Sequence, residues 1–381
     1  MSVRISVSYL SSSHLWLLVV LALLHLCLSD QKSGDVLCMV GERQALMRFK
    51  HGLIDEADRL ASWVGETSDC CRWAGIVCDN ITGHVHEIHL PGFDGHCDIY
   101  WGPKQLLGGH LKLRVLSLGN LYGTSMMKMQ WLSSLRWLYH LDMSGIDLSK
   151  AIDWFQVINT LPSLVELHLS DCQLSGIHPH VPSLNVTSLT VLDISENYFH
   201  NTSIPRWIFS LTSLVSLDIS SCNFHGPLPS SIYGFRNLTS LESLHAYGNY
   251  FMNSASVLKG LSSNLKLLDI SHCGVSSSVL DSVHNFSSLS LDLSHNQLTK
   301  AIPNSFGNLC SLRYIDLSDN NFDMSQNHIK GTLTSILFAT LYVLDLSSNE
   351  FMGKLPSLSN GSLVPRCTKE LIDVMAWRTT E

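Results

Sequence analysis

The chain has 381 residues, with 24 Lys and Arg against 32 Asp and Glu and a formal net charge of −8. Apolar residues make up 45% and charged residues 15%, a balance that excludes a disordered chain, and the lack of any Lys/Arg run excludes electrostatic capture of nucleic acid. Length alone suggests two or three domains at roughly 100–200 residues each, unless the chain repeats internally, because stacked repeats form one domain whatever their number.

Residues 1–29 read as a signal peptide. Arg4 gives a weakly basic start, and Leu15 to Leu28 is a fourteen-residue apolar run broken only by His25. That run is shorter than the about 20 residues of a membrane helix and suits a signal-peptide core. Cys27-Leu28-Ser29 offers a small-residue cleavage site, which places the mature start at Asp30. The longest later apolar run, Thr332 to Leu344, is also too short to span, so a secreted chain without a membrane span is expected. Export admits disulfides. It also makes glycan acceptors of the six Asn-x-Ser/Thr sequons at Asn80, Asn185, Asn201, Asn237, Asn285 and Asn360.

Residues 30–84 follow as an N-terminal cap. Glu42 to Lys50 has helical periodicity, with Ala45, Leu46 and Phe49 on one side. Cys38, Cys70, Cys71 and Cys78 frame the segment, and their spacing alone allows three pairings. Trp63 and Trp73 are expected in the cap core. The order Cys, Ala-Leu-x-x-Phe-Lys, Leu-x-x-Trp, then Cys-Cys-x-Trp-x-Gly-x-x-Cys resembles the N-terminal cap of plant receptor-like proteins and receptor kinases. That resemblance implies the pairs Cys38–Cys70 and Cys71–Cys78.

From residue 85 to 356 the pattern L-x-x-L-x-L-x-x-N/C recurs. Taking the first residue of each L-x-L pair as a mark, the marks fall at Leu116, Leu141, Leu167, Leu192, Leu217, Leu244, Leu268, Leu291, Ile315 and Leu344, with a degenerate earlier strand at Val85 to Leu90. The intervals run from 23 to 29 residues, the signal of a leucine-rich repeat. In L-x-L both apolar residues share one face of a strand, so each repeat contributes a short strand and buries its stripe only against its neighbours. The expected fold is an α/β solenoid: a leucine-rich-repeat superhelix with a parallel β-sheet on its concave face and a helical, disulfide-bonded N-terminal cap. Ten or eleven strands give a stack roughly 50 Å long at about 4.8 Å per step. Segments such as Gly226-Pro227-Leu228-Pro229 and Gly353-Lys354-Leu355-Pro356 resemble the plant extracellular class of these repeats.

Five residues after the mark, the first two repeats carry Leu121 and Ile146, and the other eight carry Cys172, Asn197, Cys222, Asn249, Cys273, Asn296, Asn320 and Asn349. A buried Asn there must satisfy its amide through the turn backbone, and the cysteines read as compact buried substitutes. The residue after the mark is Asp142, Asp193, Asp218, Asp269, Asp292, Asp316 or Asp345 in most repeats. That row admits two readings: a negative concave surface for basic ligands, or consensus aspartates bonded to backbone or water. Concave positions that vary are better candidates for ligand contact, because exposed aromatics and Arg are frequent hot spots. They are Tyr139, His140, Glu166, His168, Glu242, His245, Tyr247, His272, Arg313 and Tyr314. His84 and His86, with His89 nearby, show no third ligand on their face, so no metal is expected; no catalytic or cofactor motif stands out either.

Met324 to Asn327 resembles the end of a second repeat strand joined directly to Asn320-Asn321-Phe322, which suggests a fused repeat. Residues 357–381 leave the register and form an irregular, uncapped tail, with Cys367 alone. Met375-Ala376-Trp377 is similar to the non-repeat island of receptor-like proteins, in which more repeats and a membrane helix follow, so the chain reads as truncated before that helix. Taken as a whole, the chain resembles plant disease-resistance receptor-like proteins of the fungal-elicitor type. That implies a non-catalytic recognition protein, a protein, peptide or glycan ligand from a pathogen, and a co-receptor kinase that signals for it. A secreted inhibitor of fungal polygalacturonases, and a truncated decoy or non-functional fragment, are the alternatives.

Overall fold

The computed structural model describes residues 37–321, apart from 57, 66–68, 91–98, 102–110, 121–125, 127, 177–182, 201–202, 227–233, 252–260, 262, 281–289, 300–312, and then 343–345 and 348. The signal peptide, the fused-repeat segment, the tail, Asn201, Asn285, Asn349, Asn360, Cys97, Cys310 and Cys367 lie outside the described residues.

The first described element is helix α1 (Val40–Lys50), which buries Ala45, Leu46 and Phe49. Lys50 closes its C-terminal turn onto the next loop, its Nζ donating to the carbonyls of Leu60 (2.7 Å) and Trp63 (3.0 Å). Trp63 and Trp73 are buried and stacked, with centroids 5.4 Å apart, and the Trp63 Nε1 donates to the Ala74 carbonyl. Cys38 is joined to Cys70 and Cys71 to Cys78. Glu42 ties the helix to the solenoid: it is buried, and its carboxylate accepts from the Val85 amide (2.8 Å) and bonds His84 Nδ1 (2.9 Å).

Strand β1 (Leu53–Asp55) pairs antiparallel with β4 (Ile99–Trp101) in a small separate ribbon. Among the described residues the main sheet has twelve strands rather than eleven, because the cap contributes β2 (Ile76–Cys78), antiparallel to β3 (Val85–His89). A strand that pairs across the end of the stack satisfies the edge that a parallel solenoid otherwise exposes. The parallel strands follow one per repeat: β5 (Val115–Ser117), β6 (His140–Asp142), β7 (Glu166–His168), β8 (Val191–Asp193), β9 (Ser216–Asp218), β10 (Ser243–His245), β11 (Leu267–Asp269), β12 (Ser290–Asp292), β13 (Tyr314–Asp316) and β14 (Val343–Asp345). The register sets mark against mark, from Ile88 opposite Leu116 through to Ile315 opposite Leu344. The last interval, the longest, leaves that register undisturbed.

The core is a stack of rows. The marks from Ile88 to Ile315 are at most 1% exposed, and a phenylalanine row at Phe199, Phe224 and Phe251 is buried alongside. Phe199 and Phe224 stack 5.4 Å apart and nearly parallel. Behind each strand the chain turns through a residue in the left-handed region, including Asn120, Gly145, Asp171, Glu196, Ser221, Gly248, His272, His295 and Asp319. Glycine is placed where room fails as well: a Cβ on Gly145 would stand 2.7 Å from Asn120 Oδ1.

The asparagine row closes these turns. Asn197 Oδ1 accepts from the Cys172 and Leu174 amides, and its Nδ2 donates to the carbonyls of Leu169, Ile194 and Ser195. Asn296 repeats this with Cys273, Val275, Ile270, Leu293 and Ser294. Cysteine reproduces the bond to the preceding repeat, and the Cys172 thiol also lies 3.5 Å from the Ser170 carbonyl. The thiols of Cys172, Cys222 and Cys273 donate to Met143, Ile194 and Ala246, the carbonyls of the preceding repeat that an asparagine amide would reach. All three are free and buried. Burial pushes their thiols upward, Cys273 to about 12.

Candidate functional site

In β5 to β13 the residues flanking the mark point away from the core onto the concave face. The aspartate row sits there, and its bonding favours the consensus reading. Asp193 Oδ1 accepts from the Ser195 amide (3.0 Å) and hydroxyl (2.6 Å), and Asp269, Asp292 and Asp316 hold Ser271, Ser294 and Ser318 in the same way. Asp142 and Asp218 accept from the amides of Ser144 and Ser220. Each of these six aspartates thus folds the start of its own turn, the local side-chain-to-backbone bond that Asp favours. The row still shapes the potential: burial, with the charges of Asp269 and Asp316, pushes the Asp292 carboxyl above its ordinary range.

The face departs from this consensus most strongly across β6 to β8. The register sets His140 beside Glu166, and His168 between Asp142 and Asp193. His140 Nδ1 lies 2.7 Å from Glu166 Oε2 and the two imidazole rings are 5.4 Å apart. His168 Nδ1 is 3.8 Å from Asp193 Oδ2. That interaction raises the imidazole pKa against the opposing effect of burial. At Asp193 burial acts upward, but His168 and Ser195 outweigh it and hold the carboxyl below its usual range. Three of the residues singled out from sequence, His140, Glu166 and His168, are therefore one cluster. Tyr139 stands next to it, with the Arg114 guanidinium 5.9 Å from its ring centroid. Arg114 was not singled out from the sequence. Its place two residues before the mark Leu116, matching Tyr139 before Leu141, was the available signal.

The remaining positions are spread along the stack. His245 replaces an aspartate between Asp218 and Asp269, and Tyr247, two residues on, has its phenol pushed upward by burial. Glu242 pairs with Lys266 at 2.6 Å. His272 is on the turn rather than the strand and stacks on His295 at 4.0 Å. Arg313 is exposed. Tyr314 donates to Asp316 (3.3 Å), and burial followed by the Asp316 charge raises its phenol to about 12. On the early strand, His84 is held by Glu42, while His89 bonds Glu87 at 2.8 Å, so the three histidines do not converge. Of the sequons, Asn80 and Asn185 are exposed and Asn237 is half-buried. Among the described residues no helix is long and apolar enough to cross a membrane.

Comparison with known proteins agrees with this geometry. The leucine-rich-repeat N-terminal domain family matches residues 41–79, and leucine-rich-repeat families match 162–224 and 289–309. Receptor-like protein EIX1 of Solanum lycopersicum is 32% identical over 80% of this chain and 28% of its own length. Receptor-like protein EIX2 of the same species is 31% identical over 86% of this chain and 35% of its own length. The chain thus spans 28% and 35% of the length of these two curated relatives. The ectodomain of the Arabidopsis receptor kinase HAESA, solved in complex with a peptide hormone ligand, is similar at a TM-score of 0.57 and 26% identity, covering 86% of this chain and 48% of that one.

Proposed function

Because the cap and repeats of this chain are similar to the leucine-rich-repeat receptor-like proteins of plants, we propose that it recognises a pathogen-derived peptide or protein on the concave face of its sheet. Binding takes place outside the cell, after residues 1–29 are removed as a signal peptide and glycan is added at the sequons. The cap spans residues 30–84, the repeats 85–356 and an irregular tail 357–381. Recognition requires no catalysis, and a partner kinase carries the signal.

One observation carries the reading. On a face where the aspartates are occupied by their own turns, the half-buried His140, Glu166, His168, His245 and Tyr247 are the side chains whose chemistry the repeat does not dictate. Half-buried aromatic and imidazole groups on rigid strands lose little entropy on binding, and a solenoid presents them along one extended surface. The HAESA ectodomain, solved with a peptide ligand, lends support by analogy.

Hydroxyl-radical footprinting of the secreted chain, with and without the peptide fraction of a fungal culture filtrate, tests this. Protection concentrated at Tyr139, His140, His168 and His245 is expected. Protection on the convex loops alone, or none, overturns it.

A further inference from the structure

We propose that His140, Glu166 and His168 form a binding site for one divalent transition-metal ion of the zinc class. One donor atom from each lies within 4.8 Å of the other two. The site is built by the sheet: Glu166 and His168 are on the same face of β7, and the register sets His140 directly beside Glu166. Side chains of adjacent strands held in register cannot drift apart, so the donors are largely pre-organised. Zinc bonds to imidazole nitrogen and carboxylate oxygen at about 2.0–2.2 Å. Closing the triangle around an ion therefore asks only for side-chain adjustments on the order of 1 Å.

The donor chemistry selects the ion. Two imidazoles and one carboxylate suit Zn²⁺ or Cu²⁺, whereas Ca²⁺ and Mg²⁺ take oxygen ligands and Cu⁺ takes sulfur. Around the donors, Asp142 and Asp193 flank His168 in the register, which adds negative charge and the carboxylate backing that metal-ligating histidines commonly have. The donor side chains are 23%, 35% and 30% exposed, so an ion can enter from the groove. Three protein ligands leave a position open to water or to a donor from a bound ligand. That last role rests on the concave face being the ligand surface; the metal site itself does not.

Other clusters among the described residues do not compete. Cys38, Cys70 and Cys71 lie together but are consumed by disulfides. His272 and His295 stack, and Asp319 comes within 3.4 Å of His295, but the three do not bring donor atoms within 4.8 Å of one another.

Calorimetric titration of the purified full chain with ZnCl₂, in metal-free buffer at neutral pH and with no other ligand present, decides the matter. One saturable event per chain is expected, weakened at least about tenfold in His140→Ala, Glu166→Ala and His168→Ala. The double change His84→Ala with His86→Ala should leave it intact, and MgCl₂ should give no event. Absence of saturable Zn²⁺ binding to the wild type, or equal affinity in folded His140→Ala and His168→Ala, overturns the proposal. Co²⁺ loaded into the wild type gives a check that needs no variant: an intense four- or five-coordinate visible spectrum supports the site, and only the weak six-coordinate spectrum of solvated Co²⁺ overturns it. A chain that binds Zn²⁺ but shows no footprint with fungal peptides keeps the metal site and loses the proposed function; the reverse pair of results does the opposite.

Discussion

The asparagine row behind the turns and the histidine cluster in front of the strands are built by the same repeats, yet they spend their polar groups differently. Asn197 is fully buried and makes five hydrogen bonds, all to backbone. His140, Glu166 and His168 are half-buried and face one another or neighbouring carboxylates. A polar group whose every partner is the local backbone defines the turn and has nothing left for a ligand. One held only by other side chains can exchange those partners for an ion or a peptide at little loss of stability. The contrast separates architecture from function within one repeat.

The sharpest way to break that contrast is Asn197→Ala. It strands two amides and a set of carbonyls in the core, and each buried group left unpaired costs about 1–3 kcal/mol. A loss of about 3 kcal/mol or more is expected in urea unfolding, with His140→Ala close to neutral in the same assay. Next comes Glu42→Ala, which leaves the Val85 amide without its acceptor and loosens the cap from β3. A loss of about 2 kcal/mol is expected, together with faster hydrogen exchange at Val85.

Smaller still is Cys222→Ala, which removes one S–H···O bond to Ile194 and little volume. About 1 kcal/mol is expected. Because burial pushes its thiol up, wild-type Cys222 should resist alkylation at pH 8 until the chain unfolds. Finest is the pH response of the aspartate row. Burial raises the folded-state pKa of Asp292, so between its unfolded value of about 3.9 and that raised value the native state holds the extra proton. Stability from this group therefore falls as pH rises through the window. Asp292→Asn keeps an oxygen to accept from Ser294 and should raise Tm slightly at neutral pH, with the gain vanishing at acid pH; a gain that grows on acidification would contradict the sign.

Much of the fold was legible in the sequence. The marks from Leu116 to Leu344 pair residue for residue as the L-x-L spacing requires. Burial of both leucines on one strand face is a local property, and the period of the repeat propagates it. The helix of the cap was legible for the same reason. The twelfth strand was not, because Ile76–Cys78 carries no repeat signal and is drawn into the sheet only by the open edge beside it. Nor was the role of Glu42: one acidic residue on an amphipathic helix looks solvent-exposed until the helix is docked on Val85. The aspartate row was left between two readings, because only the backbone path reveals that Ser195 and its equivalents come back to meet the carboxylates.

The candidate site divides along the same line. Variation against the consensus marked His140, Glu166 and His168 one at a time, and sequence placed all three on the concave face by alternation alone. That they form one cluster was decided by the tertiary structure. Donors from different repeats, 26 residues apart along the chain, meet only because parallel pairing brings equivalent positions to within one strand spacing, about 4.8 Å. Local periodicity writes which face a side chain takes; only the stacking of repeats decides who stands beside it.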